Sequence, residues 1–154
     1  MPTLSRIFLK LGLVYFVLAM LVAAALAVAG GAWSALLLPT YLHLFMVGWV
    51  TQCIVGVALW LFPKWSKEQP RGPEWLGWTS LVGLNLGLVL RAIAEPMMVL
   101  RAPDEVGIFG GLLVVSAVAQ WVGGLAFGAA IWPRIKDPKA ERARRKKQTR
   151  AGEG

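Results

Sequence analysis

The sequence holds a single cysteine, Cys53, and a single histidine, His43, and its 8 acidic residues are outnumbered by 16 basic ones. One cysteine excludes an intramolecular disulfide and any thiol pair for redox chemistry or chelation, so Cys53 reads as a buried packing thiol. From Leu11 to Pro63 there is no Lys, Arg, Asp or Glu at all. A soluble domain cannot leave a tract of that length uncharged, whereas a bilayer requires it.

What is present agrees with that reading. The chain is 57% hydrophobic, with a mean hydropathy of +0.62, and the apolar residues lie in blocks. The uncharged tract is long enough for two passes of about 20 residues each, and its breakers are Gly30, Gly31, Ser34 and Pro39. The hairpin is therefore expected there, with helices near residues 11–29 and 36–62, followed by further apolar helices near 75–100 and 106–132. The fold class is all-α, an integral membrane four-helix bundle over residues 1–136. Little is left outside the bilayer, which excludes a soluble catalytic domain. Arg6 and Lys10 before an apolar run ending in Ala27, Val28 and Ala29 imitate a secretory signal, but the run exceeds the usual signal core and is read as the first membrane helix.

Basic residues mark one face. Arg6 and Lys10 precede the first helix, Lys64, Lys67 and Arg71 join the second to the third, and a dense basic run follows from Arg134. The first loop is uncharged, and the third sets Arg101 against Asp104 and Glu105. The positive-inside rule puts both termini in the cytoplasm, with the protein in the plasma (inner) membrane. Residues 137–154 form a basic, disordered cytoplasmic tail that meets anionic lipid headgroups rather than nucleic acid. Trp33 is expected at the outer boundary and Trp60, Trp65, Trp75, Trp78 and Trp132 at the inner one, while Trp49 and Trp121 sit deep.

Ionisable groups inside membrane helices are costly, and they are the default functional candidates. Here they are His43, Arg91 and Glu95, all expected in the outer half of the bilayer. At about 100° per residue the face bearing His43 continues through Met46, Val47, Val50, Ile54, Val57 and Leu61, while Gly48, Gln52 and Gly56 point the other way. Gly83, Gly87, Arg91 and Glu95 recur at four-residue spacing. They outline a shallow groove with a cation and a carboxylate at its outer end, suited to a flat apolar molecule with an anionic edge. The same glycines, like Gly124 and Gly128, also suit close helix packing, and Arg91 and Glu95 also suit mutual neutralisation beside a kink at Pro96.

The stretch YLHLFMVGWVTQCIVGVALWLFP, Tyr41 to Pro63, resembles the second transmembrane helix of haem-copper oxidase catalytic subunits: a histidine near the outer end, a Met and aromatic-rich turn, a small Ile54-Val55-Gly56 turn and a closing proline. The resemblance implies that His43 is an axial ligand of haem b. It covers one helix in four, and the further histidines that a second haem and copper need in that family are absent, which excludes oxygen reduction at such a centre. The resulting expectation is a haem b protein of electron transfer or of small-ligand or haem sensing. His43 ligates the metal, Arg91 and Arg101 face the propionates, Glu95 orients Arg91, and Met46, Val47, Val50 and Gly87 line the site. A second copy's His43, or Met46, Met97 or Met98, would fill the sixth position, and the glycine-rich helices favour a homo-oligomer. Two alternatives stand beside it: a non-haem accessory or packing subunit of a membrane complex, and a glutathione-transferase-like four-helix membrane enzyme. For the last, the charged cluster on the helices is missing and only Asn85 sits in the middle of the third.

Overall fold

The computed structural model describes residues 1–29, 31–63, 73–100 and 106–135, and the elements within them are all helical. Arg101, most of the basic second loop and the tail over 137–154 lie outside the described residues. The helices are α1 (Thr3–Ala29), α2 (Gly31–His43), a π-helical segment (Leu44–Thr51), α3 (Gln52–Leu61), α4 (Glu74–Leu100) and α5 (Val106–Ile131), closed by a 3₁₀ turn (Trp132–Arg134). α2, the π segment and α3 run on as one span. Four spans, Thr3–Val28, Leu36–Leu61, Glu74–Leu100 and Gly107–Arg134, are each long and apolar enough to cross a bilayer.

Helix boundaries follow the local chemistry. α1 starts at Thr3, not at 11, because nothing after Pro2 breaks it: Arg6 N donates to Pro2 O at 3.2 Å, and Arg6 and Lys10 join the first turns. Long basic side chains tolerate the end of an apolar helix because they can reach outward. α1 ends at Ala29 and α2 begins at Gly31, carrying Pro39 within it. α4 likewise carries Pro96 inside a continuous helix.

α1 and α5 do not touch, so the second span and α4 lie between them. Two apolar clusters fill the interior: Phe8, Val55, Leu81 and Leu84, and then Tyr15, Ala19, Leu44 and Leu88. α4 and α5 make the closest seam. A Cβ on Gly83 would stand 2.7 Å from Ala119 O, and one on Gly123 2.8 Å from Leu84 N, so only glycine lets these backbones approach so nearly. The outward faces of α1 and α5 remain apolar, with Val17, Leu21, Val118 and Trp121 all well exposed, as suits helices surrounded by hydrocarbon rather than water.

The ends of the bundle are chemically distinct. Pro2 to Ser5, Pro63, Pro73 to Trp78 and Arg134 gather at one end, which therefore holds both chain ends of the helical body. Trp60, Trp75, Trp78 and Trp132 are exposed on α3, on the first turns of α4 and on the 3₁₀ turn, at the end where the sequence groups them; Trp65 lies outside the described residues.

Candidate functional site

Toward the opposite end, His43, Arg91 and Glu95 come together, and Thr40 and Ser116 join them. The π segment is what brings the histidine there. In a uniform α-helix Gly48 would lie about 140° round the axis from His43, and the imidazole would face outward with Met46. With i→i+5 geometry a residue five positions on returns to nearly the same side, so His43 and the buried Leu44, Gly48 and Gln52 share the inward side. Thr51 Oγ donates to Met46 O, five residues back, at 2.8 Å. Gly48 is pressed so closely by Tyr15 and Leu88 that a Cβ there would stand 2.7 Å from the tyrosine Cβ.

The imidazole is held on both sides. Arg91 Nη1 lies 2.8 Å from His43 Nε2, and a guanidinium can only donate, so Nε2 is the acceptor and the ring proton sits on Nδ1. Nδ1–H is shared between Pro39 O at 2.9 Å and Glu95 Oε1 at 3.1 Å. Thr40 Oγ donates to Glu95 Oε2 at 3.1 Å, and Arg91 Nη1 stands 3.5 Å from Glu95 Oε1. Arg91 Nε donates to Ser116 Oγ at 3.3 Å, and Ser116 Oγ donates to Gly87 O at 2.6 Å. A cation and a carboxylate on one turn of α4 thus carry no net charge into the apolar interior, and each is bonded to the helices on either side.

The groove expected over Gly83 and Gly87 is filled by α5. A Cβ on Gly87 would stand 2.7 Å from Ser116 O and 2.5 Å from Gln120 Cγ, so this residue serves the seam with α5. Elsewhere α5 approaches the second span only at α3, leaving α2 and the π segment apart from it. Arg91, on α4, thus reaches His43 on α2 through one nitrogen and Ser116 on α5 through another. Met46 turns outward at 54% exposure, Val47 packs against both core clusters, and Val50 is half-buried. Met97 and Met98 are half-buried beyond Glu95 on α4.

Thr40 and Ser116 were missed from sequence. The signal existed for Ser116, since α5 has only Ser116 and Gln120 as polar side chains in an otherwise apolar helix. Thr40 had none beyond its place beside Pro39. A second polar contact crosses the same helices nearer the middle: Gln52 Nε2 donates to Asn85 Oδ1 at 3.0 Å, and Asn85 Nδ2 donates to Leu81 O at 2.7 Å. Trp49 stacks at 4.4 Å on Phe16 and edges onto Phe45 at 4.9 Å, so this deep indole packs against α1. Among the described residues no group of three His, Cys, Asp or Glu could hold a metal ion. No family model matches the chain, and neither a curated protein nor a solved structure matches it.

Proposed function

We propose that this is a haem b-binding membrane protein of electron transfer or small-ligand or haem sensing, with His43 as the axial ligand. It sits in the plasma membrane with both termini cytoplasmic. The observation that carries the reading is the orientation of His43: Nδ1–H is fixed by Pro39 O and Glu95, which leaves the Nε2 lone pair as the acceptor, met here by Arg91. A histidine ligand needs that tautomer and that kind of partner, because a carbonyl or carboxylate on the far nitrogen sets the ring and strengthens its donor atom. The residues fit a porphyrin on one condition, that Arg91 turns off Nε2. Its guanidinium then has a propionate to pair with, while Ser116 and Glu95 can still hold its stem. Val50 offers an apolar side, Met46 being turned outward, and a second copy's His43, Met97 or Met98 the sixth position. Bound haem would supply a one-electron couple, or an iron position open to a small ligand.

A second reading, the non-haem accessory subunit, is favoured by a specific observation: Arg91 already satisfies Nε2, so the polar cluster is complete as a bond between α2, α4 and α5. An absorption spectrum separates the two. Protein purified in detergent and supplied with haem should show a Soret band, with sharp α and β bands on reduction. His43→Ala should lose them while remaining inserted, because insertion depends on apolar transfer summed over the whole span. Arg91→Ala should bind haem more weakly with a shifted potential. A wild type that stays colourless, or His43→Ala with an unchanged spectrum, sinks the haem reading and leaves the accessory one.

A further inference from the structure

At the end of the bundle that carries both chain ends, away from His43, a cavity of about 300 Å³ lies between α1, α3, α4 and the 3₁₀ turn. Thr3, Ser5, Leu59, Glu74, Trp78 and Arg134 are among its lining residues. Three features of this cavity converge on one ligand chemistry.

The first is a hydroxyl without a partner. Ser5 is fully buried, and its Oγ has no hydrogen-bond partner. Buried polar groups are nearly always satisfied, so an orphan in the wall of a cavity marks a place where something else completes it. The second is the backbone field. α1 begins at Thr3 with its first bond from Arg6 N to Pro2 O, so the amides of Thr3, Leu4 and Ser5 have no acceptor within their own helix. α4 begins beside them at Glu74, and both helices present the positive ends of their dipoles. The third is Arg134, only 3% exposed. Its Nε donates to Pro63 O at 2.9 Å and its Nη2 to Phe62 O at 2.8 Å and Leu59 O at 3.3 Å. These bonds close the C-terminus of α3 and fix the guanidinium in the cavity wall, but carbonyls do not cancel its charge. Glu74, the acid among the lining residues, is solvent-exposed and has a partner of its own.

A fixed cation, two helix N-termini and a buried hydroxyl suit a phosphate. The rest of the lining, Leu59 and Trp78 among it, is apolar and lies at the level of the exposed indoles of Trp75 and Trp132. Free phosphate gains nothing from such a wall, whereas a lipid does. We propose that this cavity seats the phosphate headgroup of one anionic phospholipid, with Ser5, the α1 amides and Arg134 around the phosphate and Leu59 and Trp78 against its glycerol and upper acyl chain. The proposal goes beyond haem binding and does not depend on it.

Native mass spectrometry of the full chain in detergent tests this, with dioleoylphosphatidylglycerol, dioleoylphosphatidylcholine or inorganic phosphate added at high salt. Salt screens loose association with the basic tail but much less a buried site. The expected result is one phosphatidylglycerol retained per chain, several-fold in preference to phosphatidylcholine. Ser5→Ala should retain phosphatidylglycerol several-fold less than wild type while melting no lower, because it removes a hydroxyl that the unliganded protein leaves unsatisfied. Equal retention of the two lipids, or unchanged retention by Ser5→Ala, overturns the proposal. So does inorganic phosphate that displaces the lipid and raises the melting temperature as much, since the ligand is then the free ion.

Discussion

At the scale of single residues, the polar cluster shows how much one side chain can organise. Arg91 reaches both neighbouring helices, through His43 on α2 and Ser116 on α5. Removing it strands Glu95 in an apolar setting. Removing both ends of the pair leaves no unpaired charge, although His43 Nε2 and Thr40 Oγ lose partners, so Arg91→Ala with Glu95→Ala should melt higher in detergent than Arg91→Ala alone. A double variant less stable than the single one would mean that Glu95 is sustained by Thr40 and His43 without the arginine. The glycines give a sharper contrast. Gly83→Ala drives a methyl toward backbone atoms at 2.7 and 3.0 Å that cannot yield, and should cost about 1–3 kcal/mol. Nothing lies within 4 Å of the site of a Cβ on Gly124, so Gly124→Ala should change unfolding in mild denaturant by less than about 0.5 kcal/mol. Equal effects at the two positions would show that the α4–α5 seam is not packed as described.

At the scale of elements, the π segment decides where the histidine looks. Periodicity read at one fixed angle per residue grouped Met46, Val47, Val50, Ile54, Val57 and Leu61 on one side and Gly48, Gln52 and Gly56 on the other; the last three are buried and Met46, Ile54, Val57 and Leu61 exposed, but Val47 packs into both core clusters. It set His43 on the side of Met46 because it took residues 36–62 as one uniform helix. Eight residues of wider winding, Leu44–Thr51, shift the phase between His43 and everything that follows. Deleting Val50 should restore α-geometry and rotate His43 away from Arg91 and Glu95. The variant should still insert, yet lose any haem absorbance and melt below wild type, much as His43→Ala does. If its spectrum and melting temperature match those of wild type, the phase shift does not position the imidazole.

At the scale of the whole molecule, the two ends of the bundle have different work. One holds Glu74, Arg134, the exposed indoles and the cavity; toward the other lies the polar cluster of His43, Arg91 and Glu95. Because the helical chain ends share one face, cysteines added near Met1 and near Gly154 should respond alike to a membrane-impermeant thiol reagent. Under the cytoplasmic orientation proposed above, both should resist labelling in intact cells and react after lysis. Labelling of either from outside would reverse that orientation.

The sequence alone determined the helical class, the four spans and the break between the first two helices after Ala29. Each of these depends on hydrophobicity summed over some twenty neighbouring residues, where no single side chain matters. It also marked His43, Arg91 and Glu95, because an ionisable group in an apolar tract is conspicuous wherever it points. The phase of the histidine, the closing of the Gly87 groove by α5, and the roles of Thr40, Ser116 and Arg134 were decided only by the tertiary structure. They depend on which backbone carbonyls and hydroxyls the packing of α2, α4 and α5 brings within three ångströms or so of a donor, and a change of helical winding over two turns is enough to exchange one set of neighbours for another.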